Sequence, residues 1–197
     1  MAGAMPDSHL VESTLRSEQV LKGDFLDVRR DVVRLPDGSE ASREYVIHPG
    51  AVMIVAQLAD GQLVLERQFR YPVRAVMIEF PAGKLDPGET SLACAQRELL
   101  EETGYTAREW ARAGVLHPVI SYSTEFIDIW FARGLKLHQR RLDAGEFLDV
   151  FTASQGTLLD MSRSGQITDA KTLTGILWLQ NVMAGAWALN WETVPSP

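Results

Sequence analysis

Three carboxylates within five residues, Glu98, Glu101 and Glu102, are the part of this chain best equipped for chemistry. They lie in the stretch Gly83 to Tyr105, GKLDPGETSLACAQRELLEETGY. Read as a helix at about 100° per residue with Glu98 at zero, Glu102 falls near 40° and Glu101 near 300°. Leu92, Gln96, Leu99, Leu100 and Thr103 cluster between roughly 100° and 200°. One face is therefore mostly apolar and expected to pack on the domain, while the opposite face presents the three acids. Like charges at i, i+3 and i+4 repel and destabilise a bare helix. Hard divalent cations, which take oxygen ligands, are the partners that would offset the repulsion.

Acids used in this way need a helix with fixed ends and a firm entry. Gly83 to Gly88, with two glycines and a proline, reads as a tight irregular turn rather than helix or strand. Thr90 or Ser91 can cap the helix, and Gly104 suits its left-handed C-terminal position. Cys94 falls near 320°, one turn before Glu98. A lone thiol matches a hard cation poorly, so it reads as a small helix residue without a catalytic part.

The surrounding elements are mainly strands. Val11–Lys22 is extended or helical. Phe25–Leu35 and Glu40–His48 form a hairpin about Pro36-Asp37-Gly38-Ser39. Ala51–Leu58 and Leu63–Phe69 flank the Asp60-Gly61 turn, and the apolar run Val52–Val55 predicts a strand covered on both faces. Val76–Phe80 leads into Pro81-Ala82-Gly83. Beyond Tyr105, strands are expected at Val115–Ile120, Phe126–Ala132 and Glu146–Phe151, with Leu135–Asp143 an exposed connection. Thr152–Ser164 predicts a helix, and Thr168 or Asp169 caps a last one through about Ala188, with Trp178, Leu179, Val182, Met183 and Ala186 as its apolar stripe.

Gly83, Glu89, Arg97, Glu98, Leu99, Glu101, Glu102, Gly104 and Tyr105 fit G-x5-E-x7-R-E-U-x-E-E-x-G-U, U being a bulky apolar residue. This resembles the signature box of the Nudix hydrolases, with no departure inside it. Arg67-Gln68-Phe69-Arg70-Tyr71-Pro72, Glu79-Phe80-Pro81-Ala82-Gly83, Arg43-Glu44-Tyr45 to Val52 and Gly165 to Ala170 are similar to the ADP-ribose pyrophosphatase branch and its nucleotide-sugar relatives. The resemblance covers roughly residues 24 to 185. It implies an α+β Nudix fold, a mixed β-sheet sandwiched between helices, preceded by an N-terminal β-hairpin arm. On this reading residues 1–49 are the arm, 50–190 the hydrolase domain and 191–197 a C-terminal tail.

The resemblance also implies chemistry: hydrolysis of the pyrophosphate bond of a nucleoside diphosphate sugar, ADP-ribose leading, with Mg²⁺ as cofactor and Mn²⁺ able to replace it. GDP-mannose, other ADP-sugars, NADH, or a binding protein without turnover are the alternatives. Glu98 and Glu102 should ligate metal, with Glu101 close behind and the Ala82 carbonyl contributing. Glu89 and Arg97 should be an ion pair tying loop to helix, supported by Gly83 and Gly104. Glu125 is expected to orient the attacking water, with Glu146 the other candidate base. Arg70 and Glu79, then Arg43 and Arg67, are the expected substrate contacts, because guanidinium forks suit phosphate and a carboxylate suits ribose hydroxyls. The arm of this branch implies a homodimer with exchanged arms.

Bulk properties narrow the class. A net charge of −7 argues against general nucleic-acid binding, so an anionic substrate needs local cations. No run of eighteen apolar residues predicts a membrane span, and MAGAMPDSHL lacks the pattern of a secretory signal. Cys94 is the only cysteine, which excludes an intrachain disulfide and fits a cytoplasmic location.

Overall fold

The structure, a computed structural model, describes residues 7–194. Residues 1–6 of the segment judged not to be a secretory signal, and 195–197 of the expected tail, lie outside them. The chain divides into two units: one runs through His48 and includes Val119–Glu125, and the other comprises Pro49–Pro118 and the chain from Phe126 onward.

The first unit is an antiparallel sheet of β1 (Ser13–Lys22), β2 (Asp27–Arg34) and β3 (Glu40–Ile47), in that order. Asp37 Oδ1 accepts the Ser39 N–H at 2.9 Å and closes the β2–β3 turn. The expected two-stranded hairpin thus gains a third strand. β1 pairs with β2 from Ser13↔Arg34 to Lys22↔Asp27, yet every one of its residues is exposed. Val119–Glu125 joins this unit through a parallel bridge between Val46 and Ser123.

The second unit is built on β4 (Ala51–Gln57), whose uniformly apolar run needs cover on both faces. Around it lie β5 (Leu63–Arg70), β6 (Ala75–Glu79), β7 (Ala82–Lys84), β8 (Tyr105–Leu116), β9 (Ile127–Leu137), β10 (Leu148–Ala153) and β11 (Glu192–Thr193). The order is β10-β5-β4-β9-β8-β11, with β6 on β5 and β7 on β4. β4 and β9 are parallel and the other pairs antiparallel, so the sheet is mixed. Val52, Ile54 and Ala56 share one core with Cys94, Ala95 and Leu99 of α1 (Ser91–Thr103). Ala51, Met53 and Val55 share the other with Leu158 of α2 (Gln155–Arg163) and Ile176 and Leu179 of α3 (Ala170–Met183). Helices on both faces of a mixed sheet make the α+β architecture.

Several boundaries differ from expectation. β9 runs on to Leu137, so Leu135–Leu137, read as the start of an exposed connection, are strand paired with Tyr105–Ala107. The strand after the box is Tyr105–Leu116, not Val115–Ile120; its Ala, Arg and Glu content hides it, and burial of Ala107, Trp110 and Ala111 compensates for weak propensity. Gly83 and Lys84, expected to open the turn, extend with Ala82 as β7 and pair with Ala51–Met53. Glu192–Thr193, read as tail, pairs with Glu109 and Trp110. α3 ends at Met183, which is exposed, and its inward line is Thr172, Gly175, Ile176 and Leu179.

Candidate active site

Helix α1 has both of its expected ends. Thr90 Oγ1 accepts the Ala93 N–H at 3.2 Å, and Gly104 closes the helix at φ 78°, its N–H bonded to the Leu100 carbonyl. Its buried face differs from the expected one. Cys94, Ala95, Leu99, Glu102 and Thr103 are buried, while Leu92, Gln96 and Leu100 are only partly covered. The acids lie at the edge of the inward face, and Glu102 is only 3% exposed. Burial, and then the charges of Glu66, Glu98 and Glu146, push the Glu102 carboxyl far above the ordinary value. Burial likewise raises Glu98, although Arg97 opposes it.

Strand β7 seats these acids. The Ala82 N–H donates to Glu102 Oε2 at 3.0 Å. Gly83 leaves the space that the Glu98 carboxyl fills, since a Cβ there would coincide with it. Gly83→Ala is therefore expected to displace Glu98 and lower turnover by about a hundredfold, with weaker cation binding in a calorimetric titration. Near-parental values of both would show that the carboxylate has another seat.

Arg97 is the hub of the loop. Its Nε and Nη2 donate to the two oxygens of Glu89, each at 2.9 Å, and Nη2 also reaches the Lys84 carbonyl at 3.1 Å. Its Nη1 donates to Glu98 at 2.7 Å and Glu101 at 3.1 Å. The Arg97 fork holds Glu89 down at about 2, below its ordinary 4.5. Because the folded value is the lower one, this pair contributes stability above about pH 4.5 that is lost as pH falls toward about 2. Thermal melts across that window should show a shallower acid decline in Glu89→Gln than in the parent; identical slopes would count against the pairing. Cys94 Sγ faces the Lys84 carbonyl at 3.3 Å, and burial pushes its thiol up to about 12, so it is an inert thiol at neutral pH.

The alternation of β5 puts Glu66, Gln68 and Arg70 on one face with Val64, which packs in the α1-side core. Arg70 donates from Nε and Nη2 to the two oxygens of Glu79, at 2.7 and 2.9 Å. Lys171 of α3 also donates to Glu79, and to Asp169 at 3.0 Å. Burial pulls Glu79 upward, but Arg70 and Lys171 outweigh it and hold the carboxyl below its ordinary value. Glu79 is 2% exposed with both oxygens engaged, which makes it the anchor of the Arg70 guanidinium. Gln68 Nε2 reaches Glu146 Oε1 at 3.4 Å, and Glu146 acts electrostatically on Glu66, Glu98 and Glu102.

The second unit thus brings together Ala82, Gly83, Glu89, Arg97, Glu98, Glu101, Glu102 and Gly104 around α1, with Arg70, Glu79 and Glu146 nearby. Arg67 lies on the opposite face of β5 and is exposed. Arg43 belongs to the first unit, where it is paired with Glu12 at 2.5 Å. Glu125 is in that unit too, 4.0 Å from His48 Nε2, its N–H bonded to Ser123 Oγ at 3.1 Å. Sequence reasoning missed Glu66 and Lys171. Glu66 had a signal: two residues after inward Val64, its alternation turns an acid toward the core.

The donors suit a hard divalent cation, being all oxygen and carrying excess negative charge. Glu102 has one N–H donor, and the two oxygens of buried Glu66 have no hydrogen-bond partner. Among the described residues no three acidic, histidine or cysteine side chains converge on one point. Arg97 instead bridges Glu98 and Glu101, so gathering these acids on a cation means loosening them from Arg97.

Comparison with known proteins supplies the family. The NUDIX domain matches residues 47–169, and the nucleoside diphosphate sugar hydrolase N-terminal domain matches 12–46. An ADP-ribose pyrophosphatase of Bacillus subtilis (strain 168) is 36% identical over 173 residues, 87% of this chain and 94% of that one. A methanol dehydrogenase activator of Bacillus methanolicus is 35% identical over 86% of this chain and 92% of its own. An ADP-ribose pyrophosphatase of Mycobacterium tuberculosis (strain ATCC 25618 / H37Rv) is 33% identical over 87% of this chain and 84% of its own. A solved ADP compounds hydrolase shares the fold, with a TM-score of 0.80 over 88% of this chain and 95% of that one at 24% identity. With an intact acid box on a buried helix edge and a matching domain over most of its length, the chain belongs to the Nudix hydrolases.

Proposed function

We propose that the protein hydrolyses the pyrophosphate bond of a nucleoside diphosphate sugar, with ADP-ribose as the leading substrate and AMP and ribose 5-phosphate as products. The observation that carries this is the pairing of two features on one unit: the buried acid edge of α1 and the Arg70 fork anchored by Glu79. Relatives named ADP-ribose pyrophosphatase at 36% and 33% identity support the choice of substrate. A GDP-mannose pyrophosphatase of Salmonella typhimurium, 30% identical over 140 residues, supports the wider nucleotide-sugar class.

Nudix hydrolases depend on divalent metal. Glu98 and Glu102, with Glu101 and the Ala82 carbonyl, would hold Mg²⁺ here, and Mn²⁺ can replace it. Such an ion, when bound, neutralises phosphate charge and lowers the pKa of water. The remaining work falls to the chain. Arg70 uses Nε and one Nη2 hydrogen on Glu79, which leaves N–H groups for phosphate oxygens or for stacking on a base. Glu79 and Lys171 keep that guanidinium still. Glu146 takes the proton of the attacking water at its carboxylate, and Arg97 with Glu89 holds the loop on which Gly83 sits.

The arm, residues 1–49, is proposed to be exchanged in a homodimer. Its fully exposed β1, with Leu15, Val20 and Leu21 open, supports a role in covering a second copy. A cytoplasmic setting agrees with the one buried, free cysteine; among the described residues no helix is long and apolar enough to cross a membrane.

The test is a panel of nucleotide sugars with Mg²⁺, phosphate being read after a phosphatase couple. ADP-ribose should give the fastest release, chelator should abolish it, and oxygen-18 water should label one of the two phosphates. No release from any member of the panel would overturn the assignment.

A further inference from the structure

Glu66 is fully buried on β5, and neither of its carboxylate oxygens has a hydrogen-bond partner. The other buried acids are held: Glu79 by Arg70 and Lys171, Glu102 by the Ala82 N–H, Asp128 by Arg112 and Asp31 by Tyr45. Glu66 faces Glu79 directly across the β5–β6 pair, an unfavourable register for two acids. It is also opposed by Glu102 of α1 and by Glu146, ahead of β10. The cations that act on it are Arg70 of its own strand and Lys171 of α3, and both give their described hydrogen bonds to other acids.

Packing does not call for a carboxylate here. Val64, two residues earlier on the same face, sits in the α1-side core, and an aliphatic side chain at 66 would continue that surface without an unpaired buried charge. The neighbouring Gln68 leaves its Oε1 buried and without a partner as well. β5 therefore carries buried oxygen acceptors that lack donors, and Glu66 among them acts electrostatically on Glu102 of α1. A compact double positive charge at α1 would act on such acceptors over several ångströms in a poorly screened interior.

We propose that Glu66 is an affinity-determining residue for a divalent cation held on α1: a buried, unpartnered anion that destabilises the chain until the cation offsets its charge. The inference rests on reading α1 as a cation-binding helix. It makes Glu66 neither a base nor a substrate contact.

Metal-free parent, Glu66→Gln, Glu66→Val, Glu66→Asp and Glu102→Gln proteins should be titrated calorimetrically with Mg²⁺ and with Mn²⁺ at about pH 8.5, where carboxyl protons compete least. No nucleotide is present, and melting curves are recorded alongside. Glu66→Gln and Glu66→Val should bind the cation at least about tenfold more weakly than the parent and melt higher without it. Glu66→Asp, which keeps the charge, should stay within about threefold of the parent. Unchanged cation affinity in a folded Glu66→Gln or Glu66→Val protein would overturn the proposal, as would lower metal-free melting temperatures in both. Glu102→Gln separates the two levels. If it abolishes binding while Glu66→Gln leaves it untouched, this inference alone fails; if Glu102→Gln also binds normally, the cation reading of α1 fails with it.

Discussion

Glu102→Gln should lower turnover on ADP-ribose by about a thousandfold or more, the loss expected when several kcal/mol of charge stabilisation is removed from a phosphoryl centre. The same change should make the metal-free protein melt at a higher temperature. In the parent, Glu102 is 3% exposed and repelled by Glu66, Glu98 and Glu146. An amide of the same shape keeps an acceptor for the Ala82 N–H and removes the charge that Glu66 opposes. Each kcal/mol of relief is worth about 2–4 °C for a chain of this size.

The pH dependence has a definite sign. A carboxyl whose folded value is raised costs nothing while it is protonated in both states. Its penalty grows as pH rises from the unfolded value, about 4.5, toward the folded one. The melting advantage of Glu102→Gln should therefore be small in acid and widen toward alkaline pH. Saturating Mg²⁺ should narrow or reverse it by stabilising only the parent. Activity and metal-free stability moving in opposite directions is the mark of a site that carries built-in repulsion. A variant that loses both has a structural defect, and one that keeps near-normal turnover removes Glu102 from the metal site.

Much of this was legible before any coordinates. The apolar run at Val52–Val55 implied a strand covered twice, and the structure places alternate residues in two cores. Thr90 and Gly104 marked the ends of α1 because capping is local chemistry. The predicted face of α1 holds only in part, with Leu99 and Thr103 buried but Gln96 and Leu100 half-covered, and for a physical reason. A hydrophobic wheel assumes that carboxylates seek water, whereas here they sit at the inward edge and Leu100 is left half-covered. Such local conflicts are expected where function overrides packing. Glu66 was passed over by the same assumption. Lys171 was invisible for another reason, since its partner Glu79 is 92 residues away and only the tertiary fold joins them. The strand β1 gave little signal because both of its faces are exposed, so no alternation was imposed on Ser13–Lys22.

Between the two candidate bases, Glu146→Gln is expected to lower turnover by a hundredfold or more, and Glu125→Gln to have the smaller effect. Glu146 sits just before β10, whose Leu148 pairs with Gln68 of β5. This register carries its carboxylate to the Gln68 amide and within electrostatic reach of Glu66, Glu98 and Glu102. Glu125 belongs to the unit of the arm and has His48 beside it at 4.0 Å. Removing its charge would disturb that pair first. Single-turnover rates at saturating Mg²⁺ distinguish the two, because saturation hides any loss of cation affinity and leaves the proton-transfer step. A loss confined to Glu125→Gln would return the base to that residue, and equal large losses would mean that both carboxylates reach the reacting water.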